Sequence, residues 1–202
     1  GACRASSGAG GRSVSDTVRS YTLHAVGKYG THADEKVRNE ALGILFAASQ
    51  VKKDVVRQSA LLALGSFSEE KVQTFLVKEG LDGSDTYAKS FSAHSLGRIA
   101  ARLAPSSREY AVIARELFKV AENDRVDRWL FQAGNLALSS MACAEQEKLL
   151  LAQLAKGKSI NIHSSSAVAL GLGMLGSESP AAVKELKGLF ESRTSGVNVQ
   201  AY

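Results

Sequence analysis

The segment Gly171-Leu172-Gly173-Met174-Leu175-Gly176 is a literal GxGxxG in this 202-residue chain. In a dinucleotide site such glycines let a pyrophosphate meet the free N–H groups of a helix that opens directly after a strand. The flanking residues predict otherwise. Ser164 to Leu170 reads as helix interior, and no preceding stretch alternates apolar and polar with period two, so this segment is expected to be a helix terminus. His24 and His94 recur at one position of a repeated pattern, with Lys28 and Arg98 four residues later. His163 does not share that register, and no carboxylate or cysteine recurs beside the histidines, so no metal-ligand set is predicted. Cys3 and Cys143 lie far apart without CxxC spacing, which gives neither a metal site nor a disulfide framework. No GxSxG, HExxH or Cys/His constellation and no evident carboxylate pair is present. The residues therefore predict no catalytic, cofactor-binding or metal site. Trp129, in Asp127-Arg128-Trp129-Leu130-Phe131, is expected in the core or between repeats. The alternative is an exposed aromatic beside Arg128, able to stack on a base or planar ligand.

The elements that hold these residues follow from internal repetition. Val56 to Gly65 (VRQSALLALG) has relatives at Val18 to Gly27, Ala88 to Gly97, Leu130 to Ser139 and Ile162 to Gly171. Their ends are separated by 38, 32, 42 and 32 residues, the range of two-helix repeats. Amphipathic stretches lie between them at about 34–50, 69–80, 107–122, 145–156 and 180–193, so about ten helices are expected. Segment 37–43 (VRNEALG) imitates the motif and leaves the register near 30–50 open. Ser15 or Asp16, Asp54, Ser84 or Asp85, Asp124 and Asn161 are candidate helix caps. Only two prolines occur, in keeping with long helices.

On a helical wheel Val56, Ala60, Ala63, Leu64 and Phe67 share the buried face, and Leu61 flanks it towards the next repeat. Glycine at 27, 65, 97 and 171 costs helix stability of about 1 kcal/mol each. Its recurrence predicts close backbone approach or termination. The opposite face carries Ser20, His24, Lys28, Gln58, Lys89, Ser90, His94, Arg98 and Gln132, the candidate partner-binding residues. Asp16/Arg19 and Asp54/Arg57 are spaced to pair on one helix face and are expected to be structural.

A Val-Arg pair at the start of a helix, then Ala and a Leu-Gly ending, resembles the second helix of HEAT-like repeats. The resemblance covers about residues 14–202 and implies an all-α, right-handed α-α superhelix of about five two-helix repeats. It also implies that the second helices line a concave surface and that Asp/Arg pairs form a ladder between repeats. The copies at 130–139 and 162–171 lack the Val-Arg pair.

Residues 1–12, rich in Gly and Ser, are expected to be a disordered leader, and 13–202 a single solenoid domain cut from a longer repeat protein, since Val197 to Tyr202 reads as the opening of another copy. The net charge is +5 with a pI near 9.3, a basic excess that suits an anionic partner in the N-terminal half. No run of eighteen apolar residues is present, so no membrane span is expected. The leading functional expectation is a non-enzymatic scaffold binding a protein or peptide on the concave face. The alternative is a nucleic-acid-binding HEAT-like module with a basic groove, although its basic residues are not densely clustered. The third reading is a lyase-like protein, because some HEAT-like proteins attach or release linear tetrapyrroles on phycobiliproteins.

Overall fold

The computed structural model describes residues 14–123, 126–155 and 162–191. The expected leader, the opening of a further copy at 197–202, and the cap candidates Asp124 and Asn161 lie outside the described residues. Among the described residues the chain forms ten α-helices and no strand. In chain order they are α1 (Asp16–Gly30), α2 (Glu35–Ser49), α3 (Asp54–Leu64), α4 (Glu70–Phe75), α5 (Thr86–Ala100), α6 (Arg108–Glu122), α7 (Arg128–Ser140), α8 (Ala144–Ala155), α9 (Ile162–Leu175) and α10 (Pro180–Glu191). Helix α4 runs on as a wider π-helical turn over Leu76–Leu81. The odd-numbered helices are the repeated motifs, and α2, with its imitation motif, belongs to the other set. The protein is an all-α solenoid of five helical pairs.

Side-chain caps set most of the helix starts. Ser15, Asp34, Asp85, Ser107 and Asp127 each accept a backbone N–H from the first turn of their helix. Asp54 is not a cap. It is the first helical residue of α3, after Lys53, and its carboxylate goes to Arg57 at 2.8 Å. Helix α9 ends at Gly176, whose φ of 61° is left-handed backbone that favours glycine. Gly176 N–H donates to the Gly173 carbonyl and Ser177 N–H to that of Leu172, the two bonds of a Schellman ending. The GxGxxG segment is thus the terminus of a helix.

The motif helices stack in series: α1 on α3, α3 on α5, α5 on α7, α7 on α9. They run in one direction. Ser20 reaches the Val55 carbonyl and Arg57 reaches Asp85 at the amino ends, while Gly27 faces Ala63, Gly65 faces Ser95 and Gly97 faces Ala137 near the carboxyl ends. A Cβ on Gly97 would lie 2.7 Å from the Ala137 Cα, so the approach of α5 to α7 requires its absence. The even-numbered helices pack behind this row: α2 on α1 and α3, the π turn on α5, α6 on α5 and α7, α8 on α7 and α9. Val56, Ala60, Leu61, Ala63, Leu64 and Phe67 are all buried, as the wheel predicts. One cluster of buried side chains runs from α1 to α7, and a second, smaller one joins Leu150, Leu154, Val168, Leu172 and Ala182. Each fully buried Leu or Phe contributes roughly 1.5–3 kcal/mol by leaving water.

The Asp/Arg pairs form a ladder. Arg57 bridges Asp54 of its own helix and Asp85, the cap of α5, while Asp16 pairs with Arg19 at 3.9 Å and with Lys53 at 3.7 Å. Asp85 therefore both caps a helix and ties two repeats together.

Candidate functional site

Helix α3 has 11 residues, whereas α1 and α5 on either side have 15. All three begin at the same point of the motif, so α3 stops about 6 Å short at its carboxyl end. Carbonyls at its end accept hydrogen bonds from side chains of α5 and of Arg102 just beyond it. Ser95 Oγ donates to Leu61 O at 2.7 Å, an Arg98 Nη to Leu62 O at 3.3 Å, and an Arg102 Nη to Gly65 O at 2.9 Å. The step leaves a hollow of about 470 Å³, with α1 and α5 as walls and the end of α3 as floor. His24, Lys28 and Thr31 line one wall, Arg98 and Arg102 the other, and Ala63 and Ser66 the floor.

No carboxylate lines this hollow. Burial first, and the neighbouring Arg98 second, pull the Arg102 guanidinium below its ordinary value. Each guanidinium has five N–H donors in a planar fork and uses one on α3, so donors remain for an oxyanion. Lys28 makes no side-chain hydrogen bond or ion pair among the described residues. Three helix carboxyl ends oppose these cations with about −0.5 each. Against three full positive charges, a surplus of about +1.5 is left.

The wheel-predicted residues divide. His24, Lys28 and Arg98 meet in the hollow; Ser20, Gln58, Lys89, Ser90, His94 and Gln132 do not line it. Ser90 is buried, with its hydroxyl donating to Thr86 O, and so is withdrawn from any groove. Helix α5 is enclosed by α3, α7, the π turn and α6, which closes a position that a single-helix wheel treats as open. Ser20 bonds the Asp16 and Val55 carbonyls and is half-buried, as are Gln58, Lys89 and Gln132. His94 is half-buried too, and burial lowers its imidazole, favouring the neutral form. Arg102, Thr31 and Ser66 also line the hollow, outside the face that the wheel selects. The signal for Arg102 is present: it stands one turn beyond Arg98.

Trp129 does not occupy the core. It is 44% exposed, with the Arg128 guanidinium 5.0 Å from its ring centroid. Val55, Tyr87 and Trp129 occupy the same motif position on α3, α5 and α7, all exposed, and form an apolar, increasingly aromatic edge at the amino ends of the motif row. Tyr87 and Arg98 are eleven residues apart on α5, nearly in line along one face and separated by about 16 Å. The motif row thus exposes an aromatic edge at one end and a cationic hollow at the other.

Two other places offer less. A cleft of about 260 Å³ between α4 and α6 has Val77, Val112 and Ile113 for a floor, but Glu70 and Glu109 balance Lys78 and Arg108 at its rim. Cys143 donates its thiol hydrogen to Glu145 at 3.1 Å, and burial pushes the thiol up, which keeps it protonated and a poor nucleophile. Beside it the Tyr110 phenol, bonded to Met141 O, is pushed up to about 12, with burial as the main cause. Among the described residues no group of three His, Cys, Asp or Glu side chains is placed to hold a metal. No described helix is long and apolar enough to cross a membrane.

No family model matches the chain, and no curated protein does. A solved structure does: the complex of CpcE and CpcF of phycocyanin lyase from Nostoc sp. PCC7120. The match has a TM-score of 0.55 and 18% sequence identity, and covers 99% of this chain and 78% of that one. At this identity the likeness establishes the fold. It also overturns the expectation of a non-enzymatic scaffold, and with it the expectation that the chain is no enzyme. A solenoid of this build forms part of a lyase complex. Missing local catalytic motifs are therefore no argument against enzymatic work, because a site shared between chains, or gathered from many helices, leaves no compact signature.

Proposed function

We propose that this chain is a HEAT-like component of a heteromeric lyase acting on the linear tetrapyrrole of a phycobiliprotein, with the exposed side of the motif row receiving the substrate and a second protein chain completing the site. The observation that carries the reading is the likeness to the phycocyanin lyase complex over 99% of the chain. The chemistry of the motif row agrees with it. A conjugated, planar and anionic molecule is served by stacking surfaces such as Tyr87 and Trp129 and by the cations of the hollow. The heteromeric neighbour supports the protein partner. The bond-making groups are not assigned to this chain alone.

The test is transfer. The chain is combined with phycocyanobilin and apo-phycocyanin, alone and with CpcE or CpcF as second component, and covalently held pigment is read by zinc-induced fluorescence after denaturing electrophoresis. Attachment or release that depends on this chain supports the proposal. Neither reaction with either second component would overturn it.

A further inference from the structure

The hollow between α1 and α5 has more positive charge than its structural duties require. Capping the end of α3 engages one donor from each of Arg98 and Arg102. Lys28 and His24 stand on the opposite wall and cap nothing on α3, yet they line the same space. We propose that this hollow is the carboxylate-binding subsite of the lyase, holding the propionate side chains of the linear tetrapyrrole between Lys28 on one wall and the paired guanidiniums of Arg98 and Arg102 on the other. The inference rests on the lyase reading above and adds to it which atoms of the substrate are held, and where.

The chemistry is specific to oxyanions. A guanidinium fork matches the two oxygens of a carboxylate, and a charge-assisted hydrogen bond is about twice as strong as a neutral one. The Arg forks are already oriented by their bonds to the Leu62 and Gly65 carbonyls, so less side-chain freedom is lost on binding. Burial first and Arg98 second disfavour the charge on Arg102, and a bound carboxylate offsets both. The ring system then runs along α5 towards Tyr87, where the row turns aromatic.

The probes are biliverdin, with both propionates free, and its dimethyl ester, in which they are masked; both are titrated into the whole chain by visible absorbance. The free acid is expected to bind about tenfold or more tightly than the ester, the equivalent of one charge-assisted contact. That preference should shrink with added salt. Lys28→Gln should reduce it severalfold without changing the melting curve, since Lys28 supports no other group. Arg98→Gln with Arg102→Gln should abolish it, and because these residues cap α3, their variant is compared at a temperature where circular dichroism shows it folded. Equal binding of acid and ester by the wild type, or a preference that survives all three substitutions, would overturn the subsite. The transfer assay separates the two ideas. Transfer without a preference for the acid rejects the subsite and keeps the lyase; a preference without transfer rejects the lyase and keeps an oxyanion site.

Discussion

The two rows of helices are built from similar amounts of Ala and Leu but solve different problems. A motif helix such as α5 has neighbours before, after and behind it, so its sides carry residues that let backbones approach: Gly97 against Ala137, Ser95 against Gly65. An outer helix such as α6 has one buried stripe, Tyr110, Ile113, Ala114, Leu117 and Ala121, and otherwise faces water. The imitation motif in α2 makes the contrast sharp. Its Gly43 has nothing within 4 Å of where a Cβ would be, whereas the motif glycines at 27, 65 and 97 each abut a neighbouring helix. The same short sequence pattern is a spacing device in one row and a coincidence in the other. The hollow belongs to the motif row as well, at the carboxyl ends of α1, α3 and α5.

The largest difference between the rows is expected in core truncation. Leu64 in α3 has no exposed surface, and Leu64→Ala should cost about 2–5 kcal/mol. Ile44 in α2 is 51% exposed, and Ile44→Ala should stay within about 0.5 kcal/mol. Urea midpoints measure both. Equal losses would mean that α2 is as deeply packed as the motif row.

That much of the fold is legible in sequence follows from what a wheel registers. Val56, Ala60 and Leu64 repeat at helical spacing, and water dictates that such a face be covered. A wheel carries no information about what flanks the helix. It places Ser90 in the open, although α5 is enclosed by its neighbours; the expectation that Trp129 lies in the core or between repeats fails likewise, since its ring is on the exposed edge. The hollow was half legible. His24, Lys28 and Arg98 stand at recurring positions of the motif, but Arg102 lies past the end of α5, where the repeats no longer match. The difference in helix length between α3 and its neighbours makes the hollow, and no single repeat reveals it. Compact catalytic motifs are a poor guide in such a fold for a related reason: a solenoid spreads its exposed groups over successive repeats.

Glycine substitutions should separate the rows by sign. Gly97→Ala would set a Cβ 2.7 Å from the Ala137 Cα and 2.8 Å from its carbonyl oxygen, backbone atoms that cannot swing away. A destabilisation of about 1–3 kcal/mol is expected, as for overpacking. Gly43→Ala meets open space inside a helix and should stabilise by about 0.5–1 kcal/mol. Thermal denaturation of the two single variants decides the matter. If both destabilise, Gly43 is not the unconstrained position that the structure shows.

Within the motif row, the ladder offers a finer comparison. Asp85 caps α5 through the Ala88 N–H at 2.9 Å and also holds Arg57, so Asp85→Ala should cost about 1–2 kcal/mol. Asp54 holds the same arginine but is exposed and caps nothing, so Asp54→Ala should cost no more than about 0.5 kcal/mol. Denaturation midpoints at low and high salt distinguish the contributions, since the cap persists when exposed charge pairs are screened. Matching losses for the two variants would show that the ladder, rather than the cap, makes Asp85 matter.

The smallest effect expected is a pH dependence carried by His94, and its sign is fixed. Burial holds the folded-state pKa of His94 below the ordinary 6.5, so the unfolded chain takes up the proton first as pH falls. Between the two values the unfolded state binds more protons, and stability declines. Above 6.5 both states are neutral at this residue and its contribution is constant. His24, at the equivalent motif position on α1, is exposed, because α1 has no motif helix before it among the described residues. Melting temperatures measured from pH 8 down to pH 5 should therefore show a shallow decline beginning near 6.5, which His94→Gln flattens. A decline of the same size in His94→Gln would show that the pH dependence does not come from this half-enclosed imidazole, and that α5 is less enclosed than its neighbours imply.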